Sequence, residues 1–132
     1  MAHILIADDD PSVLKLMATI LTKAGHTVTA SSSGFDTLKR LGIRPDDASV
    51  EPPDLIILDI MMPKCDGYTA GKLIRDHPRT RAIPILAVSA LRELSRLFTT
   101  TVEVQGFLNK PFSPEELVAC VAKILEHPKS AG

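Results

Sequence analysis

With 132 residues the chain fits one domain, and a domain of that size buries roughly two-thirds of its unfolded surface without help from staples. Hydrophobic residues make up 45%, yet no apolar run approaches the roughly 20 residues of a membrane span. The N-terminus lacks a basic stretch leading into an apolar run and a small-residue cleavage site, so a soluble, cytoplasmic protein is expected. A formal net charge of −1 gives no electrostatic reason for nucleic acid or an anionic membrane as a direct partner. Cys65 and Cys120 stand far apart at no metal or redox spacing, as free thiols in a reducing compartment would.

Ile4-Leu5-Ile6-Ala7 is a short apolar run, read as a first strand, and it ends in Asp8-Asp9-Asp10. Pro11 suits the first position of a helix, with Asp10 as its N-cap. Val13, Leu14, Met17, Ile20 and Leu21 then recur at helical spacing, so an amphipathic helix is predicted from about Pro11 to Ala24, stopped by Gly25. Thr27-Val28-Thr29-Ala30 reads as a second strand. Ser31-Ser32-Ser33-Gly34 is a loop able to cap a helix carrying Phe35, Leu38 and Leu41 and ending near Gly42. Ile43 to Pro53, with three prolines and three acids, reads as an irregular connection, long for a compact α/β unit.

Leu55-Ile56-Ile57-Leu58 is apolar throughout, as in a strand buried on both faces. It runs straight into Asp59, and a carboxylate there costs free energy unless a cation or hydrogen bonds compensate it. Pro63 and Asp66-Gly67 turn the chain into a helix predicted over Tyr68 to Asp76, closed by His77-Pro78. Ile83 to Val88 is a fourth strand, with Pro84 near its start, and it ends in Ser89-Ala90. Leu91 to Phe98 carries a helical stripe that fades at Thr99-Thr100-Thr101. Val104 to Leu108 is a fifth strand leading to Asn109-Lys110-Pro111-Phe112. Ser113-Pro114-Glu115-Glu116 has the N-cap, proline and first-turn acids of a last helix, whose apolar face is Leu117, Val118, Val121, Ile124 and Leu125. His127-Pro128 closes it, and the tail is expected to be loose.

Strands alternating with helices imply an α/β fold with a parallel sheet and helices on both faces. Ligands bind such sheets at the carboxyl ends of the strands. Polar groups stand just past four of the five apolar runs: Asp8 and Asp9, then Asp59, then Ser89, then Lys110. Three acids share a site only if a cation offsets their repulsion, and oxygen-only ligands suit Mg²⁺. Lys110 adds a compact positive charge and Ser89 a hydroxyl donor, so the set fits Mg²⁺ with a phosphoryl group, Asp59 being placed to accept it as nucleophile. The histidines His3, His26, His77 and His127 read as structural or solvent-facing. Arg75, Arg79 and Arg81 read as a solvated face around a loop, and so do Arg92 and Arg96, although that helix is also a candidate partner surface.

Asp8-Asp9, the run Asp59-Ile60-Met61-Met62-Pro63-Lys64-Cys65-Asp66-Gly67, Ser89-Ala90 and Lys110-Pro111-Phe112 together resemble the receiver domain of two-component response regulators. The resemblance spans about His3 to Leu125. It implies a doubly wound, flavodoxin-like fold: a five-stranded parallel sheet in the order 2-1-3-4-5 with five helices. It further implies a receiver domain over 1–127 and a flexible tail over 128–132. Asp59 would be the phosphoacceptor. Asp9, Asp59 and the Met61 carbonyl would ligate Mg²⁺ directly and Asp8 through water, with Ser89 and Lys110 on the phosphoryl oxygens. Phe107 matches the family's switch aromatic. The implied donor is a phosphohistidine on a sensor histidine kinase or histidine phosphotransfer protein, and the implied target is an output protein or fused domain. The domain would catalyse only its own phosphorylation and slow dephosphorylation, so it is not expected to be an enzyme in the ordinary sense.

Two other readings compete. A pseudo-receiver that binds partners without phosphate is opposed by the complete acid, hydroxyl and lysine set. A Mg²⁺-dependent phosphohydrolase needs a second acid two residues after the nucleophile, where Met61 stands. Glu103-Val104-Gln105-Gly106 and Ala119-Cys120-Val121 lack the acid and arginine of the family's DNA-binding dimers, so a monomer or weak dimer is expected. Met61 and Leu91 are apolar and cannot orient an attacking water. Phosphoryl loss should therefore be slow, and Met61→Asn or Leu91→Glu should speed it several-fold in a phosphate-release assay; unchanged rates would refute this.

Overall fold

A computed structural model describes residues 2–60, 67–90 and 102–126, the side chains of Gly67 and Tyr68 excepted. The strands are β1 (His3–Ala7), β2 (Thr27–Ser31), β3 (Leu55–Asp59), β4 (Ile85–Ser89) and β5 (Gly106–Asn109). The helices are α1 (Pro11–Lys23), α2 (Gly34–Arg40), α3 (Gly67–Asp76) and α4 (Pro114–Glu126). All strand pairs are parallel and the sheet order is β2-β1-β3-β4-β5, as expected. The helix expected over Leu91 to Phe98, the tail, Met61, Cys65, Leu91, Arg92, Arg96 and His127 lie outside the described residues.

The side-chain period of two divides the core between the faces of the sheet. Leu5, Ala7, Ile56, Leu58, Ile85 and Ala87 pack with Leu38 of α2, Leu41 just past its end, and Ala70 and Ile74 of α3. Ile4, Ile6, Leu55, Ile57, Leu86 and Val88 pack with Met17 and Leu21 of α1 and Leu117, Val121 and Ile124 of α4. Burial on both faces explains the unbroken apolar runs. It also forces every chain reversal to the two ends of the sheet, so the residues that follow the strands gather at one end.

Local chemistry starts the helices where expected. The Asp10 carboxylate accepts from the Ser12 N–H at 2.9 Å, with Pro11 in the first turn. Ser33 Oγ accepts from the Asp36 N–H at 3.1 Å. Ser113 and Glu116 form a reciprocal capping box, at 3.1 and 2.8 Å.

Several boundaries and roles differ from the sequence reading. β2 extends to Ser31, which pairs with Ala7. β4 starts at Ile85, because Pro84 has no N–H and the Ile83 N–H closes a turn onto the Thr80 carbonyl. β5 starts at Gly106 rather than Val104. Phe35 is 57% exposed and outside the core. The Ile43–Pro53 connection forms no helix or strand, as expected, but it is tied down: Ile43 is buried, and Arg79 donates to the Gly42 carbonyl and the Asp46 carboxylate at 2.8 and 2.7 Å. Gly42 has φ +73°, and a Cβ there would collide with the Asp47 carbonyl oxygen, so only glycine fits. Arg75 is no solvated residue either; it is half-buried and bonded to three loop carbonyls and a side chain.

Candidate functional site

The loops that leave β1, β3, β4 and β5 meet at the carboxyl end of the sheet. Asp59 is the last residue of β3 and pairs with Val88, one residue before Ser89 at the end of β4. Ser89 in turn pairs with Asn109, and the Lys110 N–H donates to the Ser89 carbonyl at 2.9 Å. The Asp8 N–H is held by the Ser31 carbonyl at 3.1 Å. Backbone pairing therefore fixes each functional residue before any side-chain contact is made.

Carboxylate oxygens of Asp8, Asp9 and Asp59 lie within 4.8 Å of one another. Asp8 and Asp59 are buried, whereas Asp9 opens to solvent. Lys110 Nζ donates to Asp8 Oδ2 at 2.9 Å and to Asp59 Oδ2 at 3.3 Å. Asp8 Oδ1 accepts from the Asp10 N–H at 2.9 Å. Burial acts to lower the Lys110 pKa, but the Asp8 hydrogen bond and the charges of Asp59 and Asp8 outweigh it and raise the pKa above its ordinary value. One lysine against three carboxylates leaves the site anionic. The donor set is all oxygen, with an exposed member through which water and a cation can enter, and this fits Mg²⁺.

The remaining expected residues fall on the other face of the sheet. Ser89 alternates with Ala87 and Ile85, so its side chain is on the α2/α3 side, fully buried. Phe107 pairs with Ala87 and is half-buried against the same core cluster. Ser89 is the next residue after Ala87 on that face, so it stands diagonal to Phe107 across the two strands. Met61 and Leu91 lie outside the described residues.

Sequence reasoning missed one component. Val13, Leu16, Ala90, Lys110, Pro111 and Phe112 line an apolar groove of about 300 Å³ beside the acids. Leu16 stands off the Val13-Leu14-Met17-Ile20-Leu21 stripe of α1, and it is 49% exposed. An apolar residue off the buried stripe was the visible signal.

A family model described as the response regulator receiver domain matches residues 4–122. Among curated proteins, the chain is 36% identical to the transcriptional regulatory protein GltR of Pseudomonas aeruginosa, over 92% of this chain and 48% of that protein. It is 34% identical to the alkaline phosphatase synthesis transcriptional regulatory protein PhoP of Bacillus subtilis, over 97% of this chain and 50% of that protein. The chain thus spans about half the length of these relatives. Among solved structures, a response regulator from Chloroflexus aurantiacus superposes with a TM-score of 0.81 at 34% identity, covering 95% of this chain and 98% of that one. The chemotaxis response regulator CheY4 of Vibrio cholerae gives 0.82 at 27%, covering 94% and 98%. Sheet order, the acids and lysine at one end of it, and the match over most of its length agree, and the chain belongs to the response regulator receiver domain family of two-component signalling.

Proposed function

We propose that Asp59 is the phosphoacceptor and that 1–127 acts as the receiver unit, with 128–132 as a tail. The observation that carries this reading is the meeting of the Lys110 ammonium with the buried Asp8 and Asp59 carboxylates, with Asp9 alongside. In the transfer, an Asp59 carboxylate oxygen attacks phosphorus in line. The O–P bond forms as the donor's N–P bond breaks, and the imidazole leaves with the electron pair. Lys110 already touches the carboxylate and lies ready to pair with a phosphoryl oxygen as charge builds there. Asp8, Asp9 and Asp59 are the side chains that would hold Mg²⁺, with the Met61 carbonyl added by family resemblance; the ion would supply further neutralisation of phosphoryl charge.

After transfer the Ser89 hydroxyl is proposed to donate to a phosphoryl oxygen. That motion leaves space on the α2/α3 side of β4, and Phe107, paired with Ala87, stands diagonal to it. Phosphorylation then biases a two-state packing arrangement, which the output partner or fused domain reads. The donor is proposed to be a histidine kinase or phosphotransfer protein of the cytoplasm. Incubation with Mg²⁺ and a small-molecule phosphodonor should add one phosphoryl group by intact-mass spectrometry, and chelation should prevent it. A chain that stays unmodified even in a rapid-quench time course would favour the phosphate-independent alternative.

A protein donor must rest on the rim of the site, and among the described residues an apolar part of that rim is the groove around Leu16 and Phe112. A charge there would be desolvated against an apolar partner. Leu16→Glu should therefore slow transfer from a protein phosphodonor about tenfold or more while leaving phosphorylation by the small molecule unchanged. Equal slowing of both reactions would show that the groove is not the docking rim.

A further inference from the structure

The entry to β5 is built from side chains. β4 and β5 pair Leu86 with Gly106, so Ile85 stands opposite Gln105 and a regular ladder would send its N–H to the Val104 carbonyl. The Ile85 carbonyl accepts from the Gln105 N–H at 2.9 Å, one residue ahead of the Gly106 N–H that this register calls for. Yet the Ile85 N–H goes to Gln105 Oε1, at 2.8 Å. The Glu103 carbonyl, just before this point, accepts from Arg75 Nε at 2.8 Å. Arg75 Nη2 donates to the same Gln105 Oε1 at 2.9 Å. Arg75 Nη1 spans the Arg81 and Ile83 carbonyls at 2.8 and 2.7 Å. The Gln105 amide thus stands where the ladder would have a main-chain acceptor, and the guanidinium at the end of α3 holds that amide and the neighbouring Glu103 carbonyl.

β5 needs such a rung. It is a four-residue edge strand, and a slip of one residue would send Phe107 and Leu108 to the wrong faces. Its first residue cannot grip the core: a Cβ on Gly106 would come within 2.9 Å of Ile124 Cδ1 and 3.2 Å of Leu86 Cδ1. All four acceptors of Arg75 are neutral oxygens, three of them main-chain carbonyls, so the fork geometry of arginine, more than its charge, makes the junction.

We propose that Arg75 and Gln105 are positioning residues for the switch strand: their side-chain rung sets where β5 begins and so holds Phe107 beside Ser89 and Lys110 at Asp59. The link to phosphoryl binding rests on Asp59 being the phosphoacceptor; the rung itself does not. Gln105→Glu keeps an oxygen that can accept from both Ile85 and Arg75, whereas Gln105→Leu keeps the bulk and removes the acceptor. Amide hydrogen exchange by NMR should rise roughly tenfold at residues 106–110 relative to α1 in Gln105→Leu, and stay native in Gln105→Glu. Affinity for beryllium fluoride with Mg²⁺, a phosphoryl mimic, should fall roughly tenfold in Gln105→Leu and not in Gln105→Glu. Arg75→Lys, which keeps the charge but loses the fork, should behave like Gln105→Leu. The proposal is overturned if exchange rises uniformly over the sheet, if residues 106–110 stay native in Gln105→Leu, or if the Glu variant matches the Leu variant. Should the native chain bind no beryllium fluoride, the phosphoacceptor reading fails, and local exchange alone decides whether the rung exists.

Discussion

Asp59→Asn is expected to abolish the phosphoryl adduct, lowering the rate of phosphorylation by about three orders of magnitude or more. The amide has nearly the volume of the carboxylate, so the packing at the end of β3 survives. It presents no anionic oxygen to phosphorus, however, and the site loses one of three carboxylates that lie within 4.8 Å of one another. Intact-mass spectrometry after reaction with a small-molecule phosphodonor and Mg²⁺ reads the result directly. The native chain should gain one phosphoryl group and the variant none. An adduct of equal yield on the variant would move the nucleophile elsewhere, with the exposed Asp9 as the first place to look.

Lys110→Met should lower stability by about 2 kcal/mol near neutral pH without Mg²⁺. The methionine fills much the same space but leaves Asp8 and Asp59, both buried, without their cation. The lysine side chain is 22% exposed, and water reaching the site moderates the loss below that of a fully buried pair. Millimolar Mg²⁺ should recover part of it, since a cation that binds only the folded state stabilises that state by mass action. The dependence on pH has a definite sign. Burial pulls the Lys110 pKa down, but the bond to Asp8 and the charges of Asp59 and Asp8 raise it overall. A raised lysine pKa contributes fully below the unfolded value of about 10.4 and is lost as pH climbs through the folded value. Urea unfolding from pH 7 to 11 should show the native chain falling towards the variant at the alkaline end. Parallel curves across that range would mean that the lysine contributes no net stability through its charge.

Much of this molecule was legible in its residues because the relevant signals are local. Leu55 to Leu58 are apolar at every position, which only a strand covered on both sides tolerates, and both faces are indeed packed. Asp10-Pro11 and Ser113-Pro114 mark helix starts through hydrogen bonds and a fixed φ that involve only near neighbours. Polar residues that close apolar runs had to collect at one end once the strands were parallel. Asp8, Asp9, Asp59, Ser89 and Lys110 were therefore readable as a group, although the set alone carries no distances.

Other features depend on partners far apart in the chain. Arg75, Arg79 and Arg81 looked alike in sequence, yet only the meeting of α3, the loop before β4 and residues 103–105 gives Arg75 four acceptors. The start of β5 at Gly106 follows from that same meeting, since the Ile85 N–H goes to the Gln105 side chain that Arg75 holds rather than to a main-chain carbonyl. Phe35 carried the right character for a core position, but its place on the first turn of α2 points it to solvent. The sequence by itself determined the alternation of strands and helices, the two-faced core and the residues that could bind a phosphoryl group, because period, capping and strand-end polarity act over a few residues. The tertiary structure alone decided which arginines are built in, how β5 is registered, and that Lys110 reaches both Asp8 and Asp59, because these depend on contacts between residues as many as 102 positions apart.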